Sequence, residues 1–414
     1  MKTLVTWIAG TTLSALASAS FAAAIVEGEP VNETAAGAEL FQSNCIHCHN
    51  GSVPKAPHAI SFNMMSTGSI VSAITEGVMR QQAAHLSQEE RVQIAQYLSG
   101  AVDSVAHEVK ACGTDFTPVL AETSPPWNGW GGGIRNQRFQ EAESAGINLN
   151  TVDQLELKWA FAYPGATRAR SQPLVHGNTV FVGSQQGTVY ALDLSSGCAH
   201  WQYDAGAEVR NGLTVAHLES QSDPVLFFGD FSAQVHAISA RTGVSLWKSS
   251  VATHDDATIT GSIKYHEGRL YVPISSSEWA TAADPGYPCC TFRGSVAALN
   301  ATDGSVFWNS FVIPEASHET GEINSAGAKR MAPAGAPVWN SPTIDTKRGL
   351  LYVGTGEGYT SPATKTSDAV IAMRLDDGGI VWSQQLLAGD AWNMACFIGG
   401  GGNCPEENGP DLDI

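Results

Sequence analysis

The sequence predicts two folded parts, a small all-α domain near the N-terminus and a larger all-β domain built from a repeated hairpin. Three observations carry that expectation. Apolar residues recur at helical spacing in two stretches between residues 35 and 100. Four hairpins in the second half share one register. Finally, 42 glycines against 19 prolines, without a triplet period, place many tight turns between short strands.

The N-terminus reads as a leader. MKTLVTWIAGTTLSALASASFAAA has a Lys near its start, a short apolar run interrupted by Ser and Thr, and Ala-rich positions suited to signal peptidase near Ala22 to Ala24. A membrane anchor needs about 20 strongly apolar residues, so cleavage after 1–24 is the expectation. No later segment is apolar enough to span a bilayer, and the mature chain is expected in the periplasm, where thiols oxidise.

The 414 residues, 43% hydrophobic, supply ample material for a core. A formal charge of −18 arises from only 22 basic residues. Nothing would neutralise phosphate, which argues against a nucleic-acid partner. An acidic surface suits a neutral substrate or a basic protein partner.

In the first domain, "NCIHCHN" places Cys45, Cys48 and His49 in CxxCH spacing. Two thioethers and an adjacent histidine can hold a haem on one turn, which is the c-type attachment signature. A redox CxxC or half a zinc site would use the same cysteines, and the surroundings favour haem. "AAGAELFQSN" reads as a helix delivering the motif, and "SQEERVQIAQYLSG" as a closing helix with Val92, Ile94, Ala95, Tyr97 and Leu98 on one face.

Met/His ligation raises the potential for electron transfer, so the sixth iron ligand should be Met64, Met65 or Met79. Met79 is preferred because "TEGVMRQQAAHLSQEER" resembles small bacterial cytochromes c, in which the ligand methionine follows a Gly-x and precedes the last helix. Met64 and Met65 are expected to pack, His47 to face solvent, and His58 or His85 stand as alternative ligands. This cytochrome c domain is placed at 34–101, with a linker at 102–126.

From residue 187 the chain repeats. "GTVYALDLSSGCAHW", "AQVHAISARTGVSLW", "GSVAALNATDGSVFW" and "AVIAMRLDDGGIVW" each set an Ala ten residues before a Trp, with a Gly six after the Ala. The pairs are Ala191 and Trp201, Ala237 and Trp247, Ala298 and Trp308, Ala372 and Trp382. Each unit is a hairpin, with an upstream partner strand such as "NTVFVGS" or "GRLYVPI". Four short strands per repeat are the pattern of a β-propeller blade, and the expected role of the Ala and Trp is to interlock neighbouring blades. Trp spacings of 46, 61 and 74 residues show insertions, which in repeat folds gather on one face, often the binding face.

Two inserts hold "SSSEWATAADPGYPCC" and "EASHETGEINSAGAKRMAPAGAPVW". A disulfide between the adjacent Cys289 and Cys290 forms an eight-membered ring that forces its peptide from the relaxed trans plane, and its loop is too short to stabilise by entropy. A stiff, flat-sided plate against a planar ligand is a better reason for it.

A c-type haem motif joined to Trp-docking repeats, with "YPCCTFRGSVAAL", "VWNSPTIDTKRGLLYVGTGEGY" and "GDAWNMAC", resembles the PQQ-dependent quinohaemoprotein alcohol dehydrogenases over almost the whole mature chain. It most resembles the cytochrome-containing branch that oxidises polyvinyl alcohol. The resemblance implies an all-α cytochrome c domain followed by an all-β propeller at 127–414, eight-bladed in the family and expected to be C-terminally incomplete here. Trp127 to Ile414 holds sequence for about six blades at roughly 45 residues each.

The same resemblance implies pyrroloquinoline quinone (PQQ) between a Cys289–Cys290 plate and the Trp339 ring, with Arg293 as a charge partner. Arg210 and Thr258 or Thr260 are further contacts at the ring edge. Glu278 and Glu357 fit positions that bind calcium; Glu357 departs from the asparagine that follows "GTG" in related enzymes. Asp390 matches the general base that touches the metal, and Asn393 stands where the broader family has a second Asp. A carboxylate beside Ca2+ can take the hydroxyl proton as hydride leaves carbon.

The implied function is oxidation of secondary alcohols, including those of a polymer such as polyvinyl alcohol. Electrons pass from PQQ to heme c and then to an external acceptor such as a soluble cytochrome c. A non-catalytic propeller scaffold fused to a cytochrome c carrier is the alternative, but it needs neither adjacent cysteines nor "SSSEW" nor "DAWN". Cys396 and Cys404 are expected to pair locally, leaving Cys112 and Cys198 as a possible tether.

Overall fold

The computed structural model describes residues 36–50, 56, 59, 62, 65, 67–77, 79–99, 109–113, 118–120, 127–166, 168–396, 402–410 and 412. The expected leader, His58, Met64 and most of the expected linker lie outside the described residues. Among the described residues no helix is long and apolar enough to cross a membrane.

The first domain is a small helical bundle. Helix α1 spans Ala36–Asn44, α2 Ile46–His49, α3 Thr67–Thr75 and α4 Gln88–Ser99. Both helices expected from the apolar spacing form. Their buried faces meet in one cluster of Phe41, Ile70, Leu86, Ile94 and Leu98. Gly37 lets α1 approach α4 closely, since a β-carbon there would collide with the Gln93 carbonyl. A capping box starts α4: the Ser87 hydroxyl accepts the Glu90 N–H at 3.2 Å, and the Glu90 carboxylate accepts the Ser87 N–H at 2.7 Å.

The second domain consists of four antiparallel meanders, each a blade. Blade one is β1 (Leu174–His176), β2 (Thr179–Gly183), β3 (Thr188–Asp193) and β4 (Ala199–Asp204). Blade two is β5 (Thr214–Ala216), β6 (Val225–Gly229), β7 (Gln234–Ser239) and β8 (Ser245–Ser250). In blade three, β9 (Ala257–Thr258) is appended to β10 (Lys264–His266), β11 (Arg269–Ser276), β12 (Ser295–Asn300) and β13 (Val306–Phe311).

A projecting hairpin, β14 (His318–Ile323) with β15 (Lys329–Ala332), precedes blade four. That last blade is β16 (Thr343–Asp345), β17 (Leu350–Gly354), β18 (Ala369–Arg374) and β19 (Ile380–Gln385). The second strands β2 and β6 are buried on both faces, whereas the outermost β8 alternates between exposed and half-buried.

The repeated Ala and Trp are direct cross-strand partners in every blade: Ala191 faces Trp201, Ala237 faces Trp247, Ala298 faces Trp308 and Ala372 faces Trp382. Each pair is followed at once by a bulge, which adds twist to the outer strand. Four blades are present among the described residues, fewer than the six that length suggests. The difference lies in sequence spent on residues 127–173, whose described residues form only short helices, among them α5 (Ala142–Ala145), on the loop carrying α6 (Glu278–Thr281), and on the β14–β15 hairpin.

Residues 127–138 form a strap across the inner ends of all four blades. Trp127 bridges Val175 in blade one, and the Asn128 side chain pairs with Val215 in blade two. Lys264 of blade three donates to the Trp130 and Gly133 carbonyls and to Asn136 Oδ1. In blade four, Ile344 N–H reaches the Ile134 carbonyl and Asn136 caps 341–343.

Three disulfides form: Cys112–Cys198, Cys289–Cys290 and Cys396–Cys404. The first ties the segment before the strap to blade one, as the tether expectation has it.

Candidate active site

A cavity of about 860 Å³ opens where the inner ends of the blades converge above the strap. Blades one and two contribute Arg170, Arg210 and Phe231; the strap contributes Trp130, Asn136 and Arg138. Blades three and four and their inserts contribute Thr258, Thr260, Trp279, Trp339, Glu357, Tyr359 and Trp392. The wall therefore carries both guanidiniums and aromatic rings.

Glu208, buried, holds the cationic part together. Its carboxylate lies 2.6 Å from Arg210 and 3.8 Å from Arg170. Burial, followed by the charge of Arg210, lowers the Arg170 pKa. The Arg210 guanidinium stacks on Phe231 with its carbon 4.2 Å from the ring centre. Arg210 Nε and Thr258 Oγ1 are buried without a hydrogen-bond partner. Such orphaned groups beside three guanidiniums suit a guest that is anionic and accepts hydrogen bonds.

Of the residues expected around PQQ, the structure brings Trp339, Arg210, Thr258 and Thr260 to this cavity. Thr260 Oγ1 donates to the Trp339 carbonyl at 3.0 Å, and the Trp339 ring is 39% exposed, open for stacking. PQQ, a flat polyanion, fits this set on chemistry and size.

The other expected residues require correction. Cys289 and Cys290 do not line this cavity. They are buried, and Cys289 borders a separate void of about 50 Å³ facing the β14–β15 hairpin. The reason is local: Cys290 N–H reaches the Met331 carbonyl and Met331 N–H the Cys289 carbonyl, so the pair is stitched to β15. Tyr359, stacked on Phe292 at 6.2 Å, borders both spaces and separates them. Arg293 is also elsewhere. It stacks 3.9 Å over Phe311 and donates to the carbonyls of Ile313, Pro314 and Glu315.

The calcium set does not assemble. Among the described residues no group of three or more His, Cys, Asp or Glu side chains is gathered for a metal. Glu278 is fully buried, and both its oxygens are engaged by the chain itself. Oε1 accepts Tyr287 O–H and Thr291 N–H, and Oε2 accepts Phe292 N–H, each at 2.8 Å. His254 lies 3.4 Å away, and although burial alone would lower its pKa, the hydrogen bond and charge of Glu278 raise it. Burial and then the Glu278 charge push Asp256 up. Glu278 is thus an anchor for the loop carrying the cysteine pair, and this donor set does not fit calcium.

Asp390 is buried too, with Oδ2 accepting the Leu412 N–H at 2.9 Å. It does not border the cavity; Glu357 is the carboxylate that does.

In the helical domain, Cys45, Cys48 and His49 lie on a single turn, with Cys48 and His49 N–H groups reaching the Cys45 carbonyl. The remaining six cysteines are paired, which leaves these two thiols for thioether bonds. Burial raises the Cys45 thiol, and Cys48 adds to it. His49 is buried, edge-on to Phe62 at 5.0 Å, while His47 is exposed. This donor set fits a c-type haem. Met79 is half-buried in the turn after α3, and Met65 packs against the helical core. His85 binds Asn44 at the surface, 2.9 Å away.

Sequence reasoning missed the strap with Lys264, and the aromatic pair Trp279 and Trp392, whose ring centres are 5.8 Å apart. A signal for the pair was present, since Trp279 directly follows Glu278 in "SSSEW" and Trp392 stands two residues after Asp390 in "DAWN".

Comparison with known proteins agrees with this geometry. The chain is 35% identical over 397 residues to a polyvinylalcohol dehydrogenase of a Pseudomonas species, covering 91% of this chain and 61% of the relative. It is 33% identical to the polyvinylalcohol dehydrogenase of Sphingopyxis sp. strain 113P3, covering 91% and 60%. It therefore spans about 60% of the length of these relatives. Among solved structures, the quinohemoprotein alcohol dehydrogenase of Comamonas testosteroni shares its fold, with a TM-score of 0.51 at 21% identity over 66% of this chain and 43% of that one.

Residues 32–98 match the family described as cytochrome C oxidase, cbb3-type, subunit III. Residues 127–396 match the family described as glucose/ethanol/alcohol dehydrogenase, beta-propeller domain. The chain belongs to the PQQ β-propeller family of glucose, ethanol and alcohol dehydrogenases.

Proposed function

We propose that this chain is a PQQ- and haem-dependent dehydrogenase of secondary alcohols, including the hydroxyls of polyvinyl alcohol. The observation that carries the reading is the cavity: three guanidiniums, an open Trp339 face and the orphaned Arg210 Nε and Thr258 Oγ1, in one chain with a CxxCH turn. The polyvinylalcohol dehydrogenases it resembles support the polymer as substrate.

Bound PQQ supplies a two-electron acceptor, and a haem on the CxxCH turn supplies a one-electron carrier. Trp339 would stack on the quinone, Arg210 would hold its negative charge, and Thr258 and Thr260 would meet its edge. Cys45 and Cys48 would carry the haem, with His49 and Met79 on its iron. Glu357, the carboxylate at the cavity wall, takes the hydroxyl proton of the alcohol. The leader-like N-terminus and the oxidised cysteines favour a periplasmic location, with an external acceptor such as a soluble cytochrome c.

Dye-coupled oxidation of 2-butanol and of polyvinyl alcohol, with and without added PQQ, tests the reading. Activity should depend on PQQ, and alcohol addition should reduce the haem band. Turnover indifferent to PQQ would end the proposal.

A further inference from the structure

The cavity is large for a small-molecule site. Sites for a single small molecule span roughly 300–1,000 Å³, and at about 860 Å³ this one lies near the upper end. Its cationic part, from blades one and two, suits the anionic quinone. Among the described residues no guanidinium stacks on Trp279 or Trp392, which leaves their faces for another guest.

Both rings are rigidly mounted. Trp279 sits on α6 beside the buried anchor Glu278. Trp392 N–H reaches the Gly358 carbonyl at 2.8 Å. The next residue, Asn393, spans the Tyr359 and Asn403 carbonyls at 3.0 and 2.8 Å. The rings stand 5.8 Å apart and are tilted by 35°.

Their polar edges differ from those of three tryptophans that dock on glycine turns, although Trp308 Nε1 too is buried without a partner. Trp159, Trp201 and Trp247 donate their indole N–H to carbonyls at 3.0 to 3.2 Å. Among the described residues the indole N–H groups of Trp279 and Trp392 meet no acceptor. A face that takes C–H groups, edged by a free donor, matches an uncharged chain that alternates methylene and hydroxyl-bearing carbons.

We infer that Trp279 and Trp392 form a subsite for the hydroxylated chain units flanking the carbon that is oxidised, and so select a polymer of 1,3-diol repeat over a small alcohol. The inference rests on the proposed dehydrogenase reading. A two- to four-carbon alcohol would fill only the reacting position and leave the pair unused.

The test combines binding and turnover. Oligo(vinyl alcohol) is titrated calorimetrically into the full chain without quinone, with polyethylene glycol of equal length as a probe lacking hydroxyls along the chain. Trp279→Ala and Trp392→Ala should each weaken oligomer binding about tenfold or more, and polyethylene glycol should bind weakly throughout. Trp→Phe at each position keeps the apolar face, guards against misfolding, and should give an intermediate loss.

In turnover, KM for the oligomer should rise about tenfold in the Ala variants, and kcat/KM for the oligomer should fall at least about fivefold more than kcat/KM for 2-butanol. No oligomer binding by the wild-type chain would overturn the subsite, as would binding unchanged in both variants, equal polyethylene glycol binding, or PQQ binding lost along with it. Wild-type turnover independent of PQQ would instead sink the dehydrogenase reading alone, because the calorimetric result stands without catalysis.

Discussion

The ring of Trp247, at the outer edge of blade two, covers the α-carbon of Gly304 in blade three. A β-carbon on Gly304 would lie 2.7 Å from the ring, and the glycine sits at φ +73°. The indole N–H then donates to Ala301 in the same turn, at 3.1 Å. Trp201 covers Gly243 in the same way, and Trp308 covers Gly378. Trp159, ahead of blade one, covers Gly197 and donates to Leu194. Blades one, two and three thus each dock on the next through an indole laid on a turn that only glycine fits.

Gly304→Ala should lower stability by about 2–5 kcal/mol. A left-handed conformation costs a residue with a β-carbon about 1–2 kcal/mol, and overpacking against backbone-held Trp247 adds roughly 1–3 kcal/mol. Urea unfolding followed by tryptophan fluorescence reads this directly. A midpoint equal to wild type would mean that the ring is free to move and that the docking is loose.

The repeat behind this interlock was legible because Ala, Gly and Trp recur within each hairpin, where ten-residue spacing maps onto a cross-strand pair. Trp159 escaped notice because its segment has no upstream Ala and forms no strand. The strap escaped for another reason: Lys264 and Trp130 are 134 residues apart, and no local pattern links them. Glu278 and the cysteine pair stood out as residues, but not their direction. That depends on which amides the Glu278 carboxylate captures, and it captures those of Thr291 and Phe292, just past the cysteines.

Glu278→Gln should therefore destabilise the chain whether or not calcium is present. Two buried N–H donors face the carboxylate, and hydrogen bonds to a charged group are each worth about 1.5–3 kcal/mol. The amide retains one acceptor and turns an NH2 toward a donor, so a loss of about 2–4 kcal/mol is expected. Urea midpoints measured with calcium chloride and with EDTA should show the same loss. A wild-type midpoint that rises with calcium and a variant midpoint that does not would restore Glu278 as a metal ligand.

Lys264 gives the stability a pH dependence. It is 2% exposed, and burial pushes its amine down from 10.5 to about 7. Between about pH 7 and 10.5 the unfolded chain holds a proton that the folded chain has released, so this residue makes stability rise with pH across that window. The slope is up to about 1.4 kcal/mol per pH unit. Lys264→Met removes it, so the variant should compare worst with wild type near pH 9 and best near pH 6. Parallel urea curves for the two proteins at pH 6 and 9 would show that the strap's oxygens keep the amine charged.

On the proposed reading, Glu357 serves as the base and Asp390 as a brace. Proton transfer by a positioned group is worth about 10²–10⁴-fold in rate, and Glu357 is the carboxylate that borders the cavity. Glu357→Gln should lower kcat for 2-butanol at least about 100-fold with KM little changed, since the interaction matters only as the proton leaves. Asp390→Asn keeps an acceptor for the Leu412 N–H, and kcat should stay within about threefold of wild type. PQQ titration of both variants separates a lost base from a lost cofactor. If instead Asp390→Asn abolishes turnover and Glu357→Gln spares it, the buried aspartate is the proton acceptor, and its hydrogen bond to the Leu412 N–H must break to let the alcohol reach it.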